Sequence, residues 1–182
     1  MNHKDHVNLL RRAIPEGTPG PWADFGSGDG AFTLALRDLV GPQVEIFSVE
    51  KDEARLDQQQ RNFLVRFPES NIQFLHQDFT RPLELPPLVG LIMANSIHYF
   101  RNKERLLEQF RGYLKPGGRL VLVEYNTDSG NPWVPYPLSF ETFHQVAVRA
   151  GYAEPQLLET VPSRFLGQIY SAVAFAPANR GK

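Results

Sequence analysis

The chain has 182 residues, 42% hydrophobic and 21% charged, with 19 Lys and Arg against 20 Asp and Glu for a net charge of −1, and no cysteine. That length buries a single-domain core unaided, and the missing thiols exclude disulfides, iron–sulfur clusters, thiolate zinc sites and a cysteine nucleophile. The balanced charge creates no overall pull toward nucleic acid or an anionic membrane, and no apolar run approaches the roughly 20 residues of a membrane helix. The polar opening, Met1 to His6, lacks the apolar stretch of a signal peptide, so a cytoplasmic location is expected.

Apolar positions at Val7, Leu10 and Ile14 predict a short helix over Asp5 to Ile14. His3 and His6, with Asp5, have the spacing of metal ligands, but a polar end is expected to fray, and no metal site is predicted. Pro15 to Pro21 is a breaker-rich loop. Trp22 to Phe25 reads as a strand that runs into Gly26-Ser27-Gly28-Asp29-Gly30, and Ala31 to Val40 as the helix after it, stopped by Gly41-Pro42. Val44 to Val49 is a second strand, and a helix capped by Asp52 runs to Phe67. Asn71 to His76 is a third strand, and the apolar run Leu88 to Ala94 is a fourth, buried on both faces. Asn102 caps a helix over Lys103 to Tyr113, and Pro116-Gly117-Gly118 turns the chain into a fifth strand, Arg119 to Tyr125. A loop rich in aromatics and proline, Asn126 to Pro137, precedes a helix over Ser139 to Ala150. The last two strands, Gln156 to Val161 and Gln168 to Phe175, form a hairpin. This alternation predicts an α/β fold, a mostly parallel sheet with helices on both faces.

The glycine turn follows a strand and opens a helix, the context in which such a motif carries chemistry. Glycines let a ligand approach the backbone without meeting a Cβ, and the helix start offers free amides and the positive end of its dipole. The same stretch also fits Gly26-x-Gly28-x-x-Ala31, a dinucleotide fingerprint, so the glycines alone do not choose the nucleotide. Two acids narrow the choice. Glu50 closes the second strand about twenty residues beyond the glycines, where a carboxylate accepts from both ribose hydroxyls. Asp78 stands just past the third strand, placed to accept from an exocyclic amine, with Phe79 beside it to lie against a purine.

On the segments Trp22 to Gly30, Glu50, Gln77-Asp78-Phe79 and Leu114 to Arg119, the chain resembles the class I S-adenosylmethionine-dependent methyltransferases over roughly residues 21–177. The resemblance implies a single domain: an N-terminal helix and loop (1–20), a Rossmann-like, doubly wound, seven-stranded core (21–177) and a tail (178–182). It implies a last strand that is antiparallel and inserted between the fifth and the sixth. It also implies S-adenosylmethionine as cofactor, with the Gly26, Ser27, Gly28 and Gly30 turn around its methionine part. Glu50 would hold the ribose, Asp78 the adenine amine, Asn95 would lie beside the transferred methyl, and Asp24 near the methionine amino group. Lys51 is counted with these residues, although with Arg55 it opens a charged helix expected to face water.

His98, a few residues past the fourth strand, is the candidate general base, since imidazole is suited to taking a proton at neutral pH. Tyr99, Trp133 and Tyr136 are candidates for the substrate side. The expected acceptor is a small molecule entering between the N-terminal helix and the late loops. Two alternatives stay open: a nicotinamide-dependent oxidoreductase, suggested by Ala31 and the Tyr99-x-x-x-Lys103 spacing, and a cofactor-binding module without turnover. Against the oxidoreductase, Asn102 as cap would leave Tyr99 ahead of the helix and out of line with Lys103.

Overall fold

The structure, a computed structural model, describes residues 1–178, so the expected tail lies outside the described residues except for its first position. The elements are α1 (His3–Arg11), β1 (Trp22–Phe25), α2 (Ala31–Val40), β2 (Ile46–Glu50), α3 (Glu53–Arg66), β3 (Ile72–His76), β4 (Leu88–Ala94), a short 3-10 turn (Ile97–Tyr99), α4 (Lys103–Tyr113), β5 (Leu114–Tyr125), α5 (Phe140–Arg149), β6 (Ala153–Ser163) and β7 (Gly167–Phe175). The sheet order is β3-β2-β1-β4-β5-β7-β6. β1 to β5 pair in parallel, and β7 runs antiparallel to both its neighbours, β5 and β6. The expected insertion of an antiparallel last strand is therefore present. The chain moves outward from β1 to β3 and then returns to β4, which leaves a gap between the loops after β1 and β4.

Strict alternation divides the sheet between two cores. Ala23, Phe25, Phe47, Val49, Leu91, Met93, Leu120 and Leu122 pack with Leu107 and Phe110 of α4 and Phe143 and Ala147 of α5. Trp22, Ile46, Ile92, Val121 and Val123 face the other way, onto Leu9 and Leu10 of α1 and Phe32, Ala35 and Leu36 of α2. α3 joins this second face, because its buried Gln59 donates to Thr33 of α2 and Ser48 of β2. Asp52, Asn102 and Ser139 cap α3, α4 and α5 as their sequence positions predict.

Three expectations change. The N-terminus does not fray: Asn2 and Asp5 form a capping box, and His3 and Arg66 both reach Asp38, tying α1 to α2 and α3. α1 packs its apolar face on α2 and the β6–β7 region. Pro116 to Gly118 is no turn but an irregular stretch within β5, which shifts its register on β4. The terminal strands are longer than their apolar cores suggest, because the hairpin backbone keeps pairing into polar sequence at both ends.

Gly90 shows how tightly the parallel strands fit. It lies opposite Trp22 in register, and a Cβ there would come within 2.2 Å of the indole. Gly112, near the end of α4, has open space around it and an ordinary φ. Gly90→Ala should therefore lose about 2–3 kcal/mol by overpacking, whereas Gly112→Ala should gain roughly 0.5–1 kcal/mol. Urea denaturation of the two variants checks both signs.

Candidate functional site

β1 delivers the chain into the glycine turn with positive φ at Gly26 (+73°), Gly28 (+55°) and Gly30 (+85°). The three glycines do different work. A Cβ on Gly26 would meet Ser96 Oγ at 2.8 Å, and one on Gly30 would meet Gln59 Cγ at 2.4 Å, so both serve close packing. A Cβ on Gly28 would touch nothing nearer than Arg55 Nη1 at 3.6 Å. Gly28 thus keeps open space clear. α2, which follows, is the one α-helix among the described residues without a side-chain cap at its start, which leaves the positive end of its dipole beside the turn.

A buried polar network supports the turn from below. Gln59 donates to Thr33 Oγ1 (2.8 Å) and Ser48 Oγ (2.7 Å) and accepts from Ser27 Oγ (3.0 Å). Ser48 donates to Ser27 (2.8 Å), and Thr33 donates to Asp24 Oδ2 (2.6 Å). Asp24 sits fully inside this network and does not line the cleft above it. Burial pushes its carboxyl up to about 7; the Thr33 hydrogen bond opposes the shift and the nearby charge of Glu50 adds to it.

Above the turn lies a cleft of about 290 Å³, walled by Gly26, Glu50, Asp78, Phe79 and Asn95 among others. It occupies the gap that the strand order leaves. Glu50 is oriented by two backbone amides, with Gly28 N donating to Oε2 (2.8 Å) and Asp52 N to Oε1 (2.9 Å). Asp78 faces it from the end of β3. Burial pushes the Asp78 carboxyl up, but bonds from the Thr80 hydroxyl and amide, with the charges of Lys51 and Arg81, carry it below the usual range. Lys51 and Arg55, expected to face water, both line this cleft as well. Phe79 is mostly core, stacked on Phe25 and packed edge-on to Phe100, and shows the cleft only part of its ring. Asn95 holds φ +50°, and its Oδ1 is buried without a partner among the described residues. No residue of α1 lines the cleft, so entry between the N-terminal helix and the late loops is not what this pocket offers.

His98 is 2% exposed rather than a loop histidine in water. Its Nδ1 lies 2.9 Å from Glu124 Oε2, and Glu124 is itself fully buried. A carboxylate accepts, so Nδ1 carries the proton, and Nε2 has no hydrogen-bond partner among the described residues. Glu124 was not foreseen. The signal was present, since it falls on the inward face of β5 in phase with Leu120 and Leu122, where an acid needs a partner. Tyr99 lines the cleft and packs against the His98 ring at 4.3 Å. Trp133 and Tyr136 diverge: Tyr136 lies under Arg101 and Lys103, while Trp133 turns toward Phe165 of the β6–β7 tip. Tyr99 precedes α4, and Lys103 Nζ donates to Phe100 O (2.8 Å), so these two do not form a catalytic pair.

Residues 21–157 match the family model described as a methyltransferase domain. A ubiquinone/menaquinone biosynthesis C-methyltransferase, UbiE, of Ectopseudomonas mendocina is 27% identical over 110 residues, 60% of this chain and 43% of the relative. The chain thus matches less than half the length of that relative. Among solved structures, an S-adenosylmethionine-dependent methyltransferase from Aquifex aeolicus superposes with a TM-score of 0.72 at 18% identity, covering 94% of this chain and 89% of that one. A 1,6-didemethyltoxoflavin-N1-methyltransferase from Burkholderia thailandensis, solved with its acceptor and S-adenosylhomocysteine, gives 0.74 at 15% identity over 96% and 78%. At these identities the structures share the fold. No helix among the described residues is long and apolar enough to cross a membrane.

The Asp24 carboxyl sets a test of the network. The folded protein holds its proton up to about pH 7, whereas the unfolded chain releases it near 3.8. Folding therefore loses stability as pH rises between those values. Relative to Asp24→Asn, the wild type should lose on the order of 4 kcal/mol from pH 4 to pH 7 and then level off. Urea midpoints of the two proteins across that range measure the difference, and a constant gap would disprove the assignment.

Proposed function

The chain belongs to the methyltransferase-domain family, the class I enzymes that use S-adenosylmethionine, and from this premise we propose that it transfers a methyl group from that cofactor to a small-molecule acceptor. The observation that carries the reading is the pairing of Glu50 with Gly28. At the point where the strand order reverses, a doubly anchored carboxylate faces a glycine that holds space clear beside an uncapped helix start. A nucleoside with a charged amino-acid tail fits both halves. The residues present suit it in a further respect: the unpartnered Asn95 Oδ1 is an acceptor without a donor.

In this reading Glu50 takes the ribose hydroxyls, and Asp78, ionised and held by Thr80, takes the adenine amine beside the exposed edge of Phe79. Gly26, Ser27, Gly28 and Gly30 carry the methionine part, with Asn95 close to the reacting end and Lys51 at the rim. Asp24 acts at one remove, by accepting from Thr33 beneath the turn. When bound, the cofactor supplies a sulfonium whose methyl carbon accepts the acceptor's electron pair as the carbon–sulfur bond breaks, the bonding pair going to sulfur. What the chain adds is alignment and the exclusion of water by Phe79, Tyr99 and Phe100. Where the acceptor must shed a proton, His98 takes it at Nε2, oriented through Nδ1 by Glu124. The small-molecule class is supported by the balanced charge and by the fold neighbour solved with a small heterocyclic acceptor. The oxidoreductase alternative loses its second argument, because Tyr99 and Lys103 do not align.

Calorimetry with S-adenosylhomocysteine and with NAD tests this directly, and binding of the first alone is the expected result. Gly28→Val, strained at φ +55° as well as bulky beside Glu50, should lose at least tenfold in affinity, with circular dichroism checking that the variant is folded. Glu50→Ala should lose a similar amount with the charge-assisted hydrogen bonds to the ribose. Selective binding of NAD, or full affinity in both variants, would overturn the reading.

A further inference from the structure

Beyond the cleft, a row of aromatic rings runs across the carboxyl end of the sheet. Trp133 meets Phe165 at 6.4 Å, Phe165 meets Tyr125 at 5.8 Å, Tyr125 meets His98 at 6.1 Å, and His98 meets Tyr99 at 4.3 Å. The rings come from four separate segments, and Trp133, Phe165 and Tyr99 are 70%, 49% and 59% exposed. Exposed rings gathered in this way mark a binding surface, and here partly exposed Tyr125 and buried His98 link Trp133 and Phe165 to Tyr99. One end of the row is Tyr99, a wall of the cofactor cleft, and next to it is the buried His98–Glu124 pair. The loop bearing Trp133 is held there by Tyr136 N, which donates to His98 O (2.9 Å).

We propose that this row is the acceptor site and that the acceptor is a planar hydroxylated aromatic molecule, its ring laid along Trp133, Phe165 and Tyr125 and its hydroxyl turned to His98. The proposal rests on the methyltransferase reading above and names the substrate class for it. Flat rings offer a flat π partner the best complement. Of the cations nearby, Lys103 is bonded to Phe100 O and Arg101 lies over Tyr136, so neither is turned to an anionic acceptor, and Arg164 beside Phe165 stands exposed at the hairpin tip. A neutral amine is already a nucleophile and has little need of a base backed by a buried carboxylate, whereas an aryl hydroxyl becomes a strong one only on losing its proton. That proton passes to His98 Nε2, and Glu124 balances the imidazolium. The oxygen pair then forms the bond to the methyl carbon as that carbon parts from sulfur, which keeps the bonding pair. The products are an aryl methyl ether and a neutral thioether, and His98 returns its proton to solvent. Phe165 and Trp133 thus select for the ring, and Glu124 is a positioning residue.

The test uses the full chain saturated with S-adenosylhomocysteine and titrated with 4-nitrophenol, whose phenolate absorbs at longer wavelength than the phenol. Calorimetry gives the affinity, and absorbance gives the ionised fraction of the bound probe. At equal occupancy, bound probe should quench tryptophan emission less in Trp133→Ala than in the wild type. Trp133→Ala and Phe165→Ala, both at exposed positions that leave the fold intact, should each weaken 4-nitrophenol about fivefold while S-adenosylhomocysteine binds as before. His98→Gln and Glu124→Gln should lower the phenolate fraction of bound probe, and 4-nitroanisole, which has no proton to give, should bind more weakly. Unchanged probe affinity in both alanine variants overturns the acceptor site, and an unchanged phenolate fraction in a folded His98→Gln protein overturns the role of the base. Either result leaves the methyltransferase reading standing as long as S-adenosylhomocysteine binds. Failure of S-adenosylhomocysteine itself to bind overturns both.

Discussion

The amide of Gln59 is the interaction on which the ligand-facing geometry depends. It lies fully buried on α3 yet reaches across to Ser27 in the glycine turn, Thr33 in α2 and Ser48 in β2. A buried amide is costly unless its hydrogen bonds are made. Satisfying it therefore fixes three elements relative to one another. Gly30 is the geometric counterpart: only a residue without a Cβ lets the Gln59 stem pass beneath the start of α2. With turn, helix start and β2 locked together, the end of β2 has one position, and Glu50 meets the Gly28 amide there.

The same economy of placement governs the buried pair beside Tyr99, next to the cleft wall. β4 and β5 are adjacent and parallel, so the segment after β4 and the end of β5 lie side by side. His98 comes from the first and Glu124 from the second, and the alternation of β5 turns the acid inward toward the imidazole. Burying both groups is tolerable because each satisfies the other, with Tyr125 N adding a further donor to Glu124 at 2.7 Å. A histidine oriented through one nitrogen, with the other left without a partner, is a common arrangement for a side chain that takes protons.

Much of this was legible in the chain. Caps at Asp52, Asn102 and Ser139 and the alternation of apolar residues located the helices and strands, because those signals are local. The glycine turn and the two acids at successive strand ends were legible for the same reason, and the fold brings Gly26, Glu50 and Asp78 to one cleft. What escaped depends on pairing across long separations. The His98–Glu124 contact joins residues 26 apart, and the docking of His3 on Asp38 joins residues 35 apart. Neither was visible until the sheet order was known. The division of labour among Gly26, Gly28 and Gly30 was equally hidden, since it depends on Ser96 and Gln59 arriving from elsewhere. Aromatic richness flagged the loop from Asn126 to Pro137, but only the fold shows that Trp133 joins Phe165 while Tyr136 belongs with Arg101 and Lys103.

The two halves of the proposed site, the cleft and the ring row beyond it, differ in how they are written, and the difference has a physical origin. The half built on Glu50 and the glycine turn offers a ligand backbone amides and carboxylates at strand ends, positions that the sheet itself dictates. The half built on Trp133, Tyr125 and Phe165 draws its rings from a long loop, a strand end and a hairpin tip, where the sheet sets only the point of departure. A change in either connection can rearrange those rings without moving Gly28, Glu50 or Asp78. In the proposed reading, the donor side thus rests on positions fixed by the sheet, while the acceptor side is left to segments that are free to vary. The His98–Glu124 pair stands where the two halves meet, anchored to the sheet on one side and to the loop backbone at Tyr136 on the other.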